Sequence, residues 1–186
     1  MPKNKLKEKT KKTILISHFS TPIGAMHIAA TDAGICFLEF DKKAEGELDI
    51  EAFMRSFQTD VQKGENEHIM QAKTELEEYF AGSRKHFKVA LDSRGTDFQK
   101  QVWDALLEIP YGKTASYQEQ ALKIGNLKAI RAVATANGSN KIAIIVPCHR
   151  VIGKNGSLTG YAGGLERKRW LLSHEQQYEN GVLSLF

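Results

Sequence analysis

From residue 13 onwards, apolar and polar residues alternate with a period of two, which is typical of β-strands. The alternation predicts three strands separated by two turns, Thr21-Pro22-Ile23-Gly24 and Asp32-Ala33-Gly34, which are rich in turn-forming residues. The strands are expected over residues 13–19, 25–31 and 35–40. Because the connections are short, the second strand should pair back on the first and lead directly into the third.

Two stretches with a helical period follow, in which apolar residues recur every three or four positions. Gly82 is expected to end the second helix, and residues 86–91 are expected to form another strand. No arrangement suited to catalysis is visible in this half, so we expect it to brace the rest of the chain. The two apolar faces consist of Ile50, Phe53, Met54 and Phe57, and of Ile69, Ala72, Leu76, Tyr79 and Phe80.

Two capping boxes mark helix starts in the second half. Thr96-x-x-Gln99 and Ser116-x-x-Glu119 each place a hydroxyl three residues before a side chain that can bond back to the first backbone N–H. The second box predicts a short helix that ends at Gly125. The first predicts a longer helix whose inner face is formed by Phe98, Val102, Ala105, Leu106 and Ile109.

A further helix is predicted over residues 127–136, with Asn126 as its N-cap. Two short helices joined by a glycine-containing turn are typical of a helix-turn-helix motif, although such a pair alone is more often plain packing than a DNA-binding unit. Ala129 and Ala132 surround Arg131 on the second helix. Small side chains would let its backbone approach a minor groove about 6 Å wide, with Arg131 either inserted into the duplex or solvated.

Charge divides the chain into three parts. The net charge of +4 combines six lysines and one glutamate in residues 1–12, eight basic and fourteen acidic residues in 13–92, and twelve basic and seven acidic residues in 93–186. We expect a basic disordered tail over 1–12, a scaffold domain over 13–92 and a basic domain over 93–180. The basic domain is where a polyanion would dock.

Hydropathy and cysteine content narrow the class of protein. No stretch approaches the roughly 18 consecutive apolar residues of a membrane span, and the lysine-rich N-terminus lacks the apolar core of a secretory signal. We therefore expect a cytoplasmic protein with no membrane partner. The cysteines, Cys36 and Cys148, are too few for a disulfide framework. No metal site is expected, because neither cysteines nor histidines stand at metal-ligand spacing.

The main candidate for chemistry is the stretch Val146-Pro147-Cys148-His149-Arg150-Val151, which follows the apolar run Ile142-Ala143-Ile144-Ile145. On local chemistry alone, a buried structural cysteine beside a surface histidine is the commoner arrangement. A nucleophilic Cys148 would need a base, because a thiol with a pKa of about 8.5 is mostly protonated at neutral pH. His149 is the obvious base, and a bridging water is expected because adjacent side chains diverge.

Pro147-Cys148-His149-Arg150-Val151 resembles the active-site signature of the O6-alkylguanine-DNA alkyltransferases, also called methylated-DNA–protein-cysteine methyltransferases, of the bacterial type. The resemblance extends from Thr96 to Glu175. It implies a mixed α/β (α+β) fold, with an N-terminal ribonuclease-H-like domain of a small sheet plus helices. A mainly helical, winged helix-turn-helix-like DNA-binding domain would follow. Some animal members bind zinc through N-terminal cysteines that this chain lacks.

The resemblance assigns the chemistry to four residues. Cys148 would accept the alkyl group, with His149 as its base. Glu175 would orient the imidazole, and Asn140 would stabilise the turn that holds the site. His174 is the local rival to Glu175, but a carboxylate orients an imidazole better than a second imidazole does.

The resemblance also implies the contacts to DNA. Tyr117 matches the tyrosine that helps to rotate the nucleotide, and Arg131 matches the arginine that fills the gap left by a flipped base. Tyr161 would pack on the guanine, and the N–H of Ala162 would face its O6 atom. The carbonyls of Cys148 and Val151 would accept from the exocyclic amine. Many relatives have serine where Ala162 stands.

The implied function is direct-reversal repair of alkylated double-stranded DNA. The nucleotide is flipped out through the minor groove, since the alkyl carbon on O6 cannot be reached in line within the stack. The alkyl group of O6-alkylguanine, and of O4-alkylthymine, passes irreversibly to Cys148. The protein, expected to be a monomer without cofactors, would act once per molecule.

Three other classes of protein are alternatives. Alkyltransferase-like damage sensors keep this fold but replace the cysteine, so Cys148 argues against them. A cysteine hydrolase would need an oxyanion hole, and the sequence resembles no cysteine-protease signature. Relatives that regulate transcription carry an additional cysteine-rich zinc domain, for which this sequence has no cysteines.

Overall fold

Short turns and alternating apolar positions fold the N-terminal half into a four-stranded sheet. The computed structural model describes residues 13–41 and 60–180. The strands run in the order β3-β2-β1-β4, with β1–β2 and β2–β3 antiparallel and β4 parallel to β1. All three predicted strands are confirmed. The strands are β1 (Ile14–Thr21), β2 (Gly24–Thr31), β3 (Gly34–Phe40) and β4 (Val61–Lys63).

The sheet buries apolar side chains on both faces, because successive residues of a strand point to opposite sides. Met26, Ile28, Leu38 and Phe40 belong to the main core. A smaller cluster on the opposite face contains Cys36, whose thiol pKa is raised to about 12 by burial. The apolar neighbours of Cys36 in this smaller cluster are Ile14, Ile16, Ala29 and Phe37.

Helix α1 (Glu67–Phe80) packs against this sheet. Its N-cap is Asn66, whose side-chain oxygen accepts from the backbone N–H of Ile69 at 3.0 Å. Gly82, at φ +77°, follows its end as predicted. The helix buries four of the five apolar residues that the sequence pattern placed on its inner face: Ile69, Ala72, Leu76 and Tyr79.

The N-terminal half contains one strand that the sequence pattern did not predict, and two predicted segments cannot be compared with the structure. β4 was not predicted, because Val61 is the sole apolar residue among its three. The predicted helix with Ile50 and Phe57, and the predicted tail over 1–12, lie outside the described residues.

The predicted strand over residues 86–91 is wrong. A single bridge between Ile35 and Leu91 is the sheet-like pairing found in this segment. The backbone N–H groups of Lys88 and Val89 instead donate to Oε2 of the buried Glu75, at 2.8 and 3.2 Å. A side-chain carboxylate therefore accepts the hydrogen bonds of two backbone N–H groups that would otherwise need carbonyl acceptors on a neighbouring strand.

Helices dominate the second half, and both predicted capping boxes are confirmed. Gln99 N donates to Thr96 Oγ1 at 3.2 Å, and Thr96 N donates to Gln99 Oε1 at 2.9 Å. The same reciprocal bonds join Ser116 and Glu119, at 3.1 and 2.6 Å. The helices are α2 (Asp97–Leu107), α3 (Tyr117–Lys123), α4 (Ile130–Gly138) and α5 (Leu165–Asn180).

The predicted N-cap at Asn126 is wrong. A short 3-10 helix, Leu127–Ala129, follows Asn126, and the side chain of Asn126 makes no capping bond to it. The backbone N–H of Asn126 closes the preceding helix instead, by donating to Ala121 O at 2.9 Å, while Gly125 takes φ +77°. The α-helix therefore begins at Ile130, three residues later than predicted.

A second, two-stranded sheet brings the helix-turn-helix region to the cysteine. Strands β5 (Ala115–Ser116) and β6 (Val151–Ile152) pair in parallel, with Ala115 opposite Val151. Since α3 begins directly after β5, and β6 directly follows Arg150, this pairing holds the start of α3 beside the cysteine turn. In the described part of the chain no helix is long and apolar enough to cross a membrane.

Candidate active site around Cys148

The apolar run before the cysteine is buried but is not a strand. Ile142 makes a single bridge to Leu38, the next three residues form turns, and Ile144 adopts φ +69°, which a β-branched residue rarely does. Two backbone bonds attach the run to β3: Leu38 N donates to Lys141 O at 2.7 Å, and Ala143 N donates to Leu38 O at 2.8 Å. The cysteine is thereby anchored to the N-terminal sheet.

Asn140 holds this turn together from inside. Its side-chain oxygen accepts from Ile142 N at 2.9 Å, and its amide donates to Val146 O at 2.9 Å and to Cys148 Sγ at 3.2 Å. The buried amide thus bonds to both ends of the turn and to the sulfur itself.

Cys148 begins a 3-10 helix, Cys148–Arg150, and its side chain is partly buried. Burial raises the pKa of its thiol, although the hydrogen bond from Asn140 and the positive charge of Lys168 act in the opposite direction. The resting group is therefore a thiol, and it must lose a proton before it can act as a nucleophile.

His149 and Glu175 form a fully buried pair. Nε2 of His149 donates to Oε1 of Glu175 at 2.7 Å, since an ionised carboxylate can only accept. Burial lowers the pKa of His149, and the carboxylate offsets this only in part. Nδ1 is then the acceptor nitrogen, and it is buried without a hydrogen-bond partner. Nδ1 is the atom available to take a proton.

Glu175 is the hub of a larger network. Arg150 donates to both of its oxygens, at 2.8 and 3.0 Å, and the hydroxyl of Tyr79 and the backbone N–H of Gly112 donate at 2.9 and 3.0 Å. Burial alone would raise the pKa of Glu175, but the charges and hydrogen bonds of His149 and Arg150 outweigh it and the pKa is lowered. The carboxylate therefore stays ionised in the interior.

Cys148 and His149 do not bond directly within the described residues. The water expected between them stays a prediction. His174, the local rival to Glu175, points elsewhere: its Nε2 bonds to the carbonyl of Tyr79 at 2.8 Å, and its ring stacks on Trp170.

A small pocket opens beside Cys148. The N-terminal sheet contributes Glu39 and Phe40 to its wall, which the sequence analysis missed because their place depends entirely on tertiary packing. A Cβ on Gly163 would lie 2.9 Å from Phe40 and 2.7 Å from Tyr161, so this wall is tightly packed. The remaining lining residues are Asn140, Ala143, Cys148, Tyr161, Ala162 and Gly163.

Lys168 of α5 is a second residue that sequence reasoning missed. It is fully buried, and its ammonium donates to the carbonyls of Val151, Thr159 and Gly160 at 2.6, 2.7 and 3.3 Å. Burial lowers its pKa to about 8. Lys168 therefore ties the pocket loop to the strand that follows the cysteine turn.

The residues expected to contact DNA lie at the surface or beside the pocket. Arg131 and Ala132 are exposed on α4, and Ala129 is half-buried. Tyr117 is half-buried at the start of α3, where its hydroxyl donates to Thr159 O at 3.3 Å. Tyr161 lies against the pocket, and its hydroxyl is buried without a hydrogen-bond partner.

A thiol beside a buried imidazole–carboxylate pair, on a helical domain braced by a small sheet, defines a candidate cysteine-nucleophile protein of mixed α/β fold. Comparison with known protein families shows to which family the chain belongs. The ribonuclease-like domain of 6-O-methylguanine DNA methyltransferase matches residues 14–93, and the DNA binding domain of the same family matches residues 97–177. The chain belongs to the 6-O-methylguanine DNA methyltransferase family.

Individual relatives agree with this assignment. A methylated-DNA–protein-cysteine methyltransferase of Methanosarcina acetivorans is 50% identical over 157 residues, which cover 84% of this chain and 95% of that protein. One of Mycobacterium bovis is 59% identical over 115 residues, covering 62% and 70%.

Solved structures confirm the expected fold class. The O6-methylguanine methyltransferase of Mycobacterium tuberculosis matches with a TM-score of 0.76 at 43% identity, covering 89% of this chain and 94% of that one. The Mycobacterium tuberculosis OGT in complex with DNA matches with the same TM-score and identity, covering 88% and 94%.

Proposed function

We propose that this protein is a methylated-DNA–[protein]-cysteine S-methyltransferase, which repairs alkylated double-stranded DNA by moving the alkyl group to Cys148. The observation that carries the proposal is the thiol in a pocket next to His149, whose Nδ1 is buried and unpartnered while Nε2 is held by Glu175. Membership of the family supports it.

The transfer begins with removal of the thiol proton. Nδ1 of His149 takes it through a bridging water, and the ionised Glu175 stabilises the imidazolium that results. Burial raises the pKa of Cys148, and the hydrogen bond from Asn140 and the charge of Lys168 oppose this rise, so both groups favour the thiolate. Asn140 also holds the turn in place.

The thiolate then attacks the alkyl carbon in line with its bond to O6. A C–S bond forms, the C–O6 bond breaks, and its electron pair stays on O6. The guanine takes up a proton in place of the one that the thiol lost, so the reaction balances without a cofactor. A thioether cannot be exchanged by another thiol as a disulfide can, so each molecule acts once.

The target nucleotide is flipped out of the duplex before the attack. The exposed face of α4 with Ala132, together with the half-buried Ala129 just before it, enters the minor groove, and Arg131 fills the gap left by the base. Tyr117 assists the rotation of the nucleotide. Unstacking costs a few kcal/mol, and less for a lesion that pairs badly, which favours damaged bases.

The pocket loop and the cysteine turn bind the flipped base. Tyr161 packs on the guanine, the N–H of Ala162 faces O6, and the carbonyls of Cys148 and Val151 accept from the exocyclic amine. Val151 O also accepts from Lys168, so one lone pair remains for the base. O4-alkylthymine is the second substrate that we propose.

Mass spectrometry of the intact protein tests the proposal directly. After mixing with a duplex that contains one O6-methylguanine, we expect a gain of a single methyl group on Cys148, with one lesion repaired per protein. Cys148→Ala should bind the duplex and repair nothing. Tight binding of the lesion by the wild type without any change in mass would instead indicate a damage sensor.

A further inference from the structure

Three metal-ligating side chains converge on the N-terminal sheet, although they are well separated in sequence. His18 of β1 and His27 of β2 are paired partners across the antiparallel strands, and Asp41 directly follows β3. One ligand atom from each lies within 4.8 Å of the others. We propose that this cluster binds a divalent transition-metal ion of the zinc type.

The carboxylate is positioned as a ligand more than as a surface ion pair. The side chain of Asp41 is only 6% exposed, and its Oδ2 lies 3.2 Å from Nε2 of His18. Its Oδ1 lies 2.5 Å from Nδ1 of His27, an ion pair that lacks the geometry of a hydrogen bond, so Oδ1 is buried without a hydrogen-bond partner. A buried carboxylate oxygen without a hydrogen bond is costly, and coordination to a cation would satisfy it together with the two imidazoles.

Strands hold the two histidines, and a backbone hydrogen bond to β2 holds Asp41. The two histidines lie on adjacent strands of an unbroken antiparallel register, and the backbone N–H of Asp41 donates to Ala25 O at 2.9 Å. The three side chains therefore need only side-chain rotation to close around an ion. His18 is about half exposed, at 49%, which leaves an entry path and room for a water ligand.

The ligand atoms select the kind of ion. Imidazole nitrogens suit Zn²⁺ and neighbouring transition metals, whereas Mg²⁺ and Ca²⁺ prefer oxygen ligands. Zinc bonds of about 2.0–2.2 Å place the ligands of a tetrahedral site about 3.3 Å apart. The 3.2 Å between Nε2 of His18 and Oδ2 of Asp41 is close to that value, whereas the 2.5 Å between Nδ1 of His27 and Oδ1 of Asp41 would have to widen. No cysteine belongs to the cluster, so it differs from the cysteine-ligated zinc of some animal relatives.

The position of the cluster suggests what the ion would do. Asp41 directly follows Phe40, which lines the pocket beside Cys148. An ion that joins β1, β2 and the end of β3 would stabilise this wall of the pocket without touching the reacting atoms. An ion that binds only the folded state raises stability by mass action.

Zinc binding is tested on the full chain carrying Cys148→Ala, because the active-site thiol would itself bind zinc. The protein is stripped with a chelator, then titrated with Zn²⁺ in competition with a chromophoric chelator. We expect one equivalent to bind and the melting temperature to rise. His18→Gln and His27→Gln should each weaken binding at least about tenfold, since even supporting residues around a metal contribute that much.

His68→Gln is the matched control, because His68 bonds to the carbonyl of Asp32, outside the cluster. It should bind zinc as tightly as the parent. We do not rely on a variant of Asp41, because this side chain is buried and its loss could prevent folding. His18 is half exposed, so His18→Gln should fold and gives the decisive comparison. Absence of binding, or equal affinity in His18→Gln, His27→Gln and the control, would overturn the proposal and leave a simple His27–Asp41 ion pair.

Discussion

Replacing Glu175 with glutamine removes one negative charge from the centre of the site and keeps the size of the side chain. The carboxylate accepts five hydrogen bonds: one from His149, two from Arg150, and one each from Tyr79 and Gly112. Glutamine has one accepting oxygen and one NH₂ group. Its NH₂ would replace either Oε1 or Oε2 and would there face N–H donors, to which it cannot bond. The guanidinium of Arg150 also loses its buried counter-charge.

We expect this single change to lower both stability and rate. Removing one partner of a buried ion pair costs about 3–5 kcal/mol, and the free energy of unfolding should fall by that amount. Transfer should also slow, because the imidazolium formed at His149 loses its stabilising carboxylate. Denaturant titration gives the first quantity. Single-turnover kinetics under conditions where both proteins are folded give the second.

Glu179→Gln is the matched control for Glu175→Gln. Glu179 lies on the same helix near the surface, where it pairs with Lys85 at 2.6 Å, and its loss should change stability and rate little. A loss of stability below about 1 kcal/mol in Glu175→Gln, the range of a surface pair, would refute the reasoning.

The difference in unfolding free energy between the wild type and Glu175→Gln should also depend on pH. A carboxyl with a lowered pKa in the folded state stabilises the protein above its unfolded pKa of about 4.3. That stabilisation is lost as the pH falls toward the folded pKa. The difference in unfolding free energy should therefore shrink in acid, and a difference that stays constant from neutral pH into strong acid would contradict the lowered pKa.

Three further predictions concern the residues around the pocket and the groove. Burial lowers the pKa of Lys168 to about 8. Between about pH 8 and about pH 10.4 the folded protein has lost this proton while the unfolded chain still holds it, so the cost of burying the charge disappears as the pH rises. The unfolding free energy of the wild type, measured relative to Lys168→Met, should therefore rise over that pH range. Gly163→Ala places a Cβ 2.7 Å from Tyr161 and 2.9 Å from Phe40. Overpacking of this kind costs about 1–3 kcal/mol, and a bulky alkyl group in the narrowed pocket would meet that cost in full. Transfer of a benzyl group should therefore slow by about 5- to 150-fold and transfer of a methyl group by less; equal effects would contradict the reasoning. Arg131→Ala should slow repair of duplex DNA far more than reaction with a free O6-alkylguanine base, and equal losses in the two kinetic assays would remove Arg131 from the flipping role.

Local signals predicted much of the fold. Strand alternation, turn residues and the two capping boxes depend on residues within a few positions of one another, so they can be read in order along the chain. The errors at residues 86–91 and at Asn126 have different causes. In the first, a distant carboxylate, Glu75, takes the N–H groups that a strand would use. In the second, the backbone of Asn126 closes the preceding helix.

The sequence by itself determined the candidate nucleophile and its neighbour, because Cys148 and His149 are adjacent and the motif around them is specific. The resemblance also named Glu175 and Asn140, but the other contacts of the site were decided by tertiary structure. Packing brings Tyr79, Arg150 and Gly112 onto Glu175. Packing also places Phe40 of the N-terminal sheet in the pocket wall.

The same distinction separates the site at Cys148 and His149 from the cluster of His18, His27 and Asp41. The one at Cys148 is recognisable from the order of residues, whereas His18, His27 and Asp41 meet only because β1, β2 and β3 lie side by side in the folded sheet. Sequence order records which groups are neighbours along the chain. The burial that lowers the pKa values of His149 and Lys168, and the convergence of His18, His27 and Asp41, exist only once the chain has folded.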